Sequence, residues 1–248
     1  MPSVSSTLLG YSSMDGSARK YRCSIYFNNI SMSKAMFIIN RCWIFFSSLV
    51  IIAYFKFANR LKVFGVEYVP EEGGVLLASN HVSMFETIII PAVILSRMPG
   101  KKVFAPAKVE LFRNPILRLI ISSWGSFPVK RGSAHISGMK KIIELLKKEK
   151  VMVFPEGTRS KTGEIKRGNR MLGRLILEAK PVVVPVRIFG AEKILGTGDE
   201  RPKPFHKITV KFGKPVNMES FYTAKDNTKV MSQKIIDEVM EAISQLNM

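Results

Sequence analysis

His81 and Glu86 stand five residues apart in the stretch Asn80-His-Val-Ser-Met-Phe-Glu86, directly after the apolar run Gly73-Gly-Val-Leu-Leu-Ala-Ser79. Histidine is the side chain that exchanges a proton near neutral pH, and a carboxylate on one ring nitrogen fixes the tautomer and stabilises the imidazolium as it forms. On one continuous helix, positions five apart diverge by about 140°. The pair can therefore meet only if His81 lies in a loop and the helix begins near Ser83. Ser83-Met-Phe-Glu86 reads as a capping box, with Ser83 at the N-cap and Glu86 at the third helical position. That role alone accounts for Glu86, but a first-turn carboxylate can also face back to the loop and hold an imidazole. No G-x-S-x-G motif is present, and Cys23 and Cys42 lie far off in the sequence. A His–carboxylate pair without a protein nucleophile suggests that the substrate carries the attacking hydroxyl.

A second polar cluster follows another apolar run, in Val151-Met-Val-Phe-Pro-Glu-Gly-Thr-Arg-Ser160. Pro155 ends the strand, Gly157 permits a tight turn, and Glu156, Thr158, Arg159 and Ser160 gather around it. Turn amides with a guanidinium make an anion site, although an ordinary loop with a Glu–Arg surface pair would read the same way. Lys130 and Arg131 end a further strand-like run, Phe127-Pro-Val-Lys-Arg-Gly-Ser133, as phosphate ligands or as a solvated basic edge.

The elements that must position these groups alternate. Strand-like runs are KVFGVEYV, GVLLAS, KKVFAPA, SFPVKR, KVMVFP, PVVVPVRI and KITVKFGKPV, with helix-like runs at 84–97, 114–123, 135–149, 168–179 and 229–246. This pattern predicts an α/β domain over 63–248, with a mostly parallel sheet flanked by helices. GVLLAS and VVVPV are apolar without alternation, as strands covered on both faces are. In such folds chemistry sits beyond the carboxyl ends of the strands, where both polar clusters fall.

Residues 1–31 form a Ser-rich arm, expected to be weakly ordered. Residues 32–62 follow as a hydrophobic helical segment, with no charge between Arg41 and Lys56 and cations at both ends. Its length is borderline for a bilayer span. Its aromatics and flanking cations predict a membrane anchor lying in one leaflet rather than crossing. The 248-residue chain carries 38 Lys and Arg against 19 acidic residues, a net charge of +19. Polyanionic partners follow, including an anionic membrane surface. Twenty of the cations, against 6 acidic residues, lie between Arg97 and Lys180, around the two polar clusters. The charge would also suit a basic nucleic-acid-binding module, but zinc spacing, a helix-turn-helix signal and an RNA-recognition aromatic motif are all missing, so no nucleic-acid partner is expected. The two cysteines have no metal-ligand spacing and form no disulfide framework, which fits a reducing compartment.

NHVSMFE, FPVKRG, FPEGTRS and VVVPVRI, in this order and spacing, resemble the four sequence blocks of the glycerolipid acyltransferase family, across roughly residues 63–215. The resemblance implies direct acyl transfer from a thioester, carried by acyl carrier protein or coenzyme A, to the sn-2 hydroxyl of lysophosphatidic acid, giving phosphatidic acid. It implies no acyl-enzyme, no cofactor and no metal. The family's H-x-x-x-x-D block falls on His81 as base and Glu86 as its partner. Glu86 is one methylene longer than the usual Asp, so it must fold back, or the helix start must shift, for it to reach the ring. The FPEGTRS block implies acceptor binding by Glu156, Gly157 and Thr158, and a phosphate contact from Arg159. Arg131 and Lys108 are further phosphate candidates, and Pro185 serves either the acyl donor or the packing of the sheet. The cytoplasmic face of the bacterial inner membrane is the expected location. A sibling enzyme acting on glycerol 3-phosphate or another lipid alcohol would carry the same blocks.

Overall fold

The computed structural model describes residues 34–129, 135–160, 162–203, 205–223 and 228–247. The chain divides into two compact units, Met1–Ile39, of which the opening of the first helix is described, and Asn40–Met248. The Ser-rich arm and Arg131 lie outside the described residues.

Seven strands form one sheet: β1 (Lys62–Phe64), β2 (Val75–Ser79), β3 (Val103–Lys108), β4 (Ser126–Val129), β5 (Lys150–Val153), β6 (Val182–Phe189) and β7 (Thr209–Phe212), in the order β1-β7-β6-β2-β5-β3-β4. From β6 to β4 all neighbours are parallel. β7 pairs antiparallel with β6 and parallel with β1. The helices are α1 (Lys34–Asn59), α2 (Glu86–Arg97), α3 (Pro115–Ser123), α4 (His135–Leu145), α5 (Arg170–Ala179), α6 (Ala191–Leu195), α7 (Glu219–Thr223) and α8 (Thr228–Ser244).

Every residue of β2 is buried, which explains the unbroken apolar run. Val75 and Leu77 face one core with Met152, Val184 and Val186, closed by Ile89, Ile90 and Ile94 of α2 and by Ile44 and Phe55 of α1. Leu76 and Ala78 face the other core with Val151, Val153 and Val183, closed by Ile142 of α4, Leu175 and Ile176 of α5, and Ile235, Ile236 and Val239 of α8. With five parallel strands aligned, the carboxyl ends of β2, β3, β4 and β5 share one edge.

From Asn40 onward α1 docks one face on the sheet domain. Ile44 and Phe55 are buried, and the Trp124 indole donates to Ser47 Oγ at 3.1 Å. Its outer face stays apolar and exposed, and Ala35–Asn59 is long and apolar enough to cross a membrane by length and composition.

The helices α5 and α8 lie so close at Gly173 that a Cβ there would run into the Ser232 carbonyl oxygen. Gly173→Ala must therefore part the two helices. We expect a loss of about 1–3 kcal/mol of stability, the usual range for overpacking, read as a lower urea midpoint at unchanged slope.

Candidate active site

Where β2 ends, its hydrogen-bond ladder with β6 continues through a side chain. Asn80, almost fully buried, donates from Nδ2 to the Ile188 carbonyl at 3.1 Å, and its Oδ1 accepts the Ile188 N–H at 2.9 Å. The amide stands in for one more strand residue and lets the backbone leave the sheet. His81 is thereby thrown past the carboxyl edge.

The backbone of His81 is held from the adjacent loop, beyond β5. Its N–H donates to Glu156 Oε1 at 3.0 Å, and its carbonyl accepts the Ser160 N–H at 2.7 Å. The ring stacks on Phe154, with centroids 3.9 Å apart and planes 12° from parallel. Three residues of Phe154–Ser160 thus fix the histidine at three points. The far oxygen of Glu156 accepts the Lys166 N–H at 3.3 Å, and the Lys166 ammonium donates to the Arg159 carbonyl at 3.2 Å, closing the loop on itself.

Glu86 fixes the remaining freedom of the ring. Its Oε1 lies 2.7 Å from His81 Nδ1 and also accepts the N–H groups of Val82 and Ser83, both at 2.8 Å, while Oε2 accepts Ser83 N–H at 2.9 Å. The carboxylate is fully buried, and these donors replace its lost water. It opens α2, at the end of the helix that favours negative charge. Because a carboxylate only accepts, the proton is fixed on Nδ1, and in the neutral ring Nε2 holds the lone pair. His81 keeps 18% of its side-chain surface exposed, and Nε2 has no hydrogen-bond partner among the described residues.

The capping box forms by half. Glu86 reaches back to the Ser83 amide as expected, but the helix begins at Glu86 rather than near Ser83. Ser83 Oγ accepts the Phe85 N–H at 3.3 Å rather than the Glu86 amide, and donates to the Leu195 carbonyl at 2.7 Å, tying the loop to the end of α6. The later helix start is what lets the longer Glu fold back over three loop residues.

Of the other residues singled out by sequence, Gly157 and Thr158 are exposed in the turn beyond β5, with Gly157 at φ +70°. Arg159 is half-buried and directly precedes the Ser160 amide that binds His81. Lys108 is exposed at the end of β3, on the same edge and two strands from β2. Arg131 follows β4, whose last residue, Val129, ends at that edge. Pro185 lies buried in β6, opposite Ala78 and against Gly213, in the packing of the sheet. Glu156 is committed to two backbone amides and so holds the site's two loops together. Asn80, Phe154 and Ser160 carry positioning roles that sequence did not assign. Asn80 left a signal as a polar residue closing a wholly apolar strand, and Ser160 as one of the polar residues gathered after Pro155. Among the described residues no cluster of three or more His, Cys, Asp or Glu side chains could hold a metal.

Burial raises the pKa of Glu156, opposed by the amides of His81 and Lys166. The folded protein therefore holds this proton more tightly than the unfolded chain does. The stability that Glu156 contributes is full below its unfolded pKa and is lost as pH rises through the higher folded value. Glu156→Gln cannot titrate. We expect the parent to lose stability relative to this variant as pH rises from about 4, the unfolded value, through the higher folded one. Urea midpoints measured on both proteins across that range check the sign; a relative gain by the parent would refute it.

A family model described as Acyltransferase matches residues 60–189. The chloroplastic 1-acyl-sn-glycerol-3-phosphate acyltransferase LPAT1 of Arabidopsis thaliana is 30% identical over 164 residues, 64% of this chain and 44% of that protein. The 1-acyl-sn-glycerol-3-phosphate acyltransferase of Streptococcus pneumoniae is 23% identical over 181 residues, 72% of this chain and 64% of that one. The chain thus spans about half to two thirds of the length of these relatives. The crystal structure of the 1-acyl-sn-glycerophosphate (LPA) acyltransferase PlsC from Thermotoga maritima shares the fold, with a TM-score of 0.60, 18% identity, and coverage of 92% of this chain and 90% of that one.

Proposed function

The chain belongs to the Acyltransferase family, and from that premise we propose that it transfers a fatty acyl group from a thioester to the sn-2 hydroxyl of 1-acyl-glycerol-3-phosphate, making phosphatidic acid. The observation that carries this reading is the single open nitrogen of His81, aimed out of a loop that Glu86 and the Phe154–Ser160 segment hold rigid.

In this mechanism His81 Nε2 accepts the proton of the acceptor hydroxyl while its oxygen attacks the thioester carbonyl. The imidazolium is stabilised by Glu86 through Nδ1. Collapse of the tetrahedral intermediate breaks the carbon–sulfur bond, and the leaving thiolate takes the proton back from Nε2. The products are an ester and a thiol, with no acyl-enzyme. In support, the serine hydroxyls of this region are spent elsewhere. Ser79 Oγ donates to the Asn80 carbonyl, Ser83 Oγ to that of Leu195, and Ser160 Oγ faces Thr162 Oγ1 at 3.5 Å.

Arg159, Lys108 and, by its place after β4, Arg131 supply cations for the acceptor's phosphate, with the exposed turn at Gly157 and Thr158 against the glycerol. Acyl carrier protein and coenzyme A are both polyanions, and the net charge of +19 suits either as donor. The exposed apolar face of α1 suits work at a membrane surface, where acceptor and product reside.

Lysophosphatidic acid and glycerol 3-phosphate, offered separately with acyl thioesters and the products weighed by mass spectrometry, test the acceptor; product from glycerol 3-phosphate alone would assign the sibling activity. His81→Ala should abolish turnover while the thermal unfolding profile stays that of a folded protein. Glu86→Gln keeps the shape but removes the charge facing the imidazolium. It should lower kcat by about 10²–10⁴ with little change in KM. High turnover in either purified variant would end the general-base mechanism.

A further inference from the structure

Helix α3 is an apolar helix with nothing laid over it among the described residues. In Pro115-Ile-Leu-Arg-Leu-Ile-Ile-Ser-Ser123 no residue is buried; Ile116 is 70% exposed and Leu119 73%. Ile116, Leu119, Ile120 and Ser123 follow the i, i+3, i+4, i+7 spacing of a single face. At the end of that face Ser123 Oγ accepts the Trp43 indole N–H at 3.0 Å, and the next residue, Trp124, donates to Ser47 Oγ. Trp43 in turn heads an exposed stripe on α1, continued by Phe46, Val50, Tyr54 and Phe57 at steps of three or four residues. Two helices far apart in sequence are thus stitched side by side, and their exposed apolar faces meet at Trp43.

We propose that α3 is a second membrane-docking element, laid with α1 into the interfacial layer of a bilayer that contains anionic lipid. Lys108 and Arg113, both exposed, precede the helix, and the exposed Arg118 lies on its other flank, so the apolar face has the cationic surroundings of helices that lie in a membrane surface. The charge pattern also selects the occupant. The core of a protein–protein interface is depleted of charge, whereas this helix, with no residue buried, carries Arg118 on the flank away from Ile116 and Ile120, from which a long stem can snorkel to lipid headgroups. The surface also has a consistent place in the fold. α3 starts just past the carboxyl end of β3, and α1 packs Phe55 edge-to-face on Phe85, beside Glu86, with centroids 5.3 Å apart. Docking both helices brings the edge that bears His81 to the lipid interface. Only that purpose rests on the proposed function; the docking itself rests on the exposed faces and their charges.

The test uses the full chain with Cys23→Ser and Cys42→Ser, carrying one new cysteine at Leu119, Phe57 or Arg174, labelled with an environment-sensitive fluorophore. Vesicles of phosphatidylcholine and phosphatidylglycerol with brominated acyl chains should quench the Leu119 and Phe57 probes to comparable extents. The Arg174 probe, on the opposite face of the sheet, should remain in water. Omitting phosphatidylglycerol should weaken binding about tenfold or more. A Leu119 probe that behaves like the Arg174 probe overturns the proposal. So does a Leu119 probe that is shielded without lipid in a concentration-dependent way, which would mean that α3 covers a second copy of the chain. Because no substrate is present, the same quenching is expected of a His81→Ala protein. Failure of the catalytic reading would therefore leave this result unchanged, and failure of docking would leave the turnover tests standing.

Discussion

The buried carboxylate of Glu86 is the constraint on which the site depends. Removed from water, it must be satisfied by protein donors, and the loop before α2 supplies them as the amides of Val82 and Ser83 and as His81 Nδ1. One group therefore shapes the loop, opens the helix and sets the tautomer of the imidazole. Losing it would leave two buried amides unpaired as well as freeing the ring, so structural and chemical roles are inseparable at this position.

That carboxylate could not orient the histidine if the histidine's backbone were free. The sheet supplies the second hold. β2 and β5 are parallel neighbours in register, so the loops that leave their carboxyl ends emerge side by side. Glu156 and Ser160 then grip the two polar backbone groups of His81, and Phe154 supplies a flat surface for its ring. Asn80 ties the same chain to β6 on the other side. The histidine is thus referred to three adjacent strands and to the start of one helix, a rigid frame of the kind that proton transfer to a positioned base requires.

The surface divides its labour in a related way. Polar and cationic groups crowd the carboxyl edge of the sheet, while α1 and α3 leave apolar faces open beside it. The proposed acceptor, with a phosphate head and an acyl tail, would use both kinds of surface.

The seven strands, the parallel core and the main helices were legible in the sequence, because hydrophobic period and turn residues are local signals. The doubly covered β2 showed as an apolar run without alternation, and the residue types at His81, Glu86 and 154–160 announced polar chemistry at strand ends. Sequence could also state that His81 and Glu86 can meet only across a loop–helix boundary. It set that boundary near Ser83, whereas the helix opens at Glu86, with the Ser83 hydroxyl shared between the Phe85 amide and the Leu195 carbonyl. The union of the two polar segments, the turning of Glu156 and Ser160 onto the His81 backbone, and the replacement of a strand residue by Asn80 came from strand order alone. Residues 80 and 188, or 81 and 156, have no local relation that periodicity could reveal. They become neighbours only because β2 is inserted between β5 and β6, and the energy of that arrangement lies in burial shared across the whole sheet.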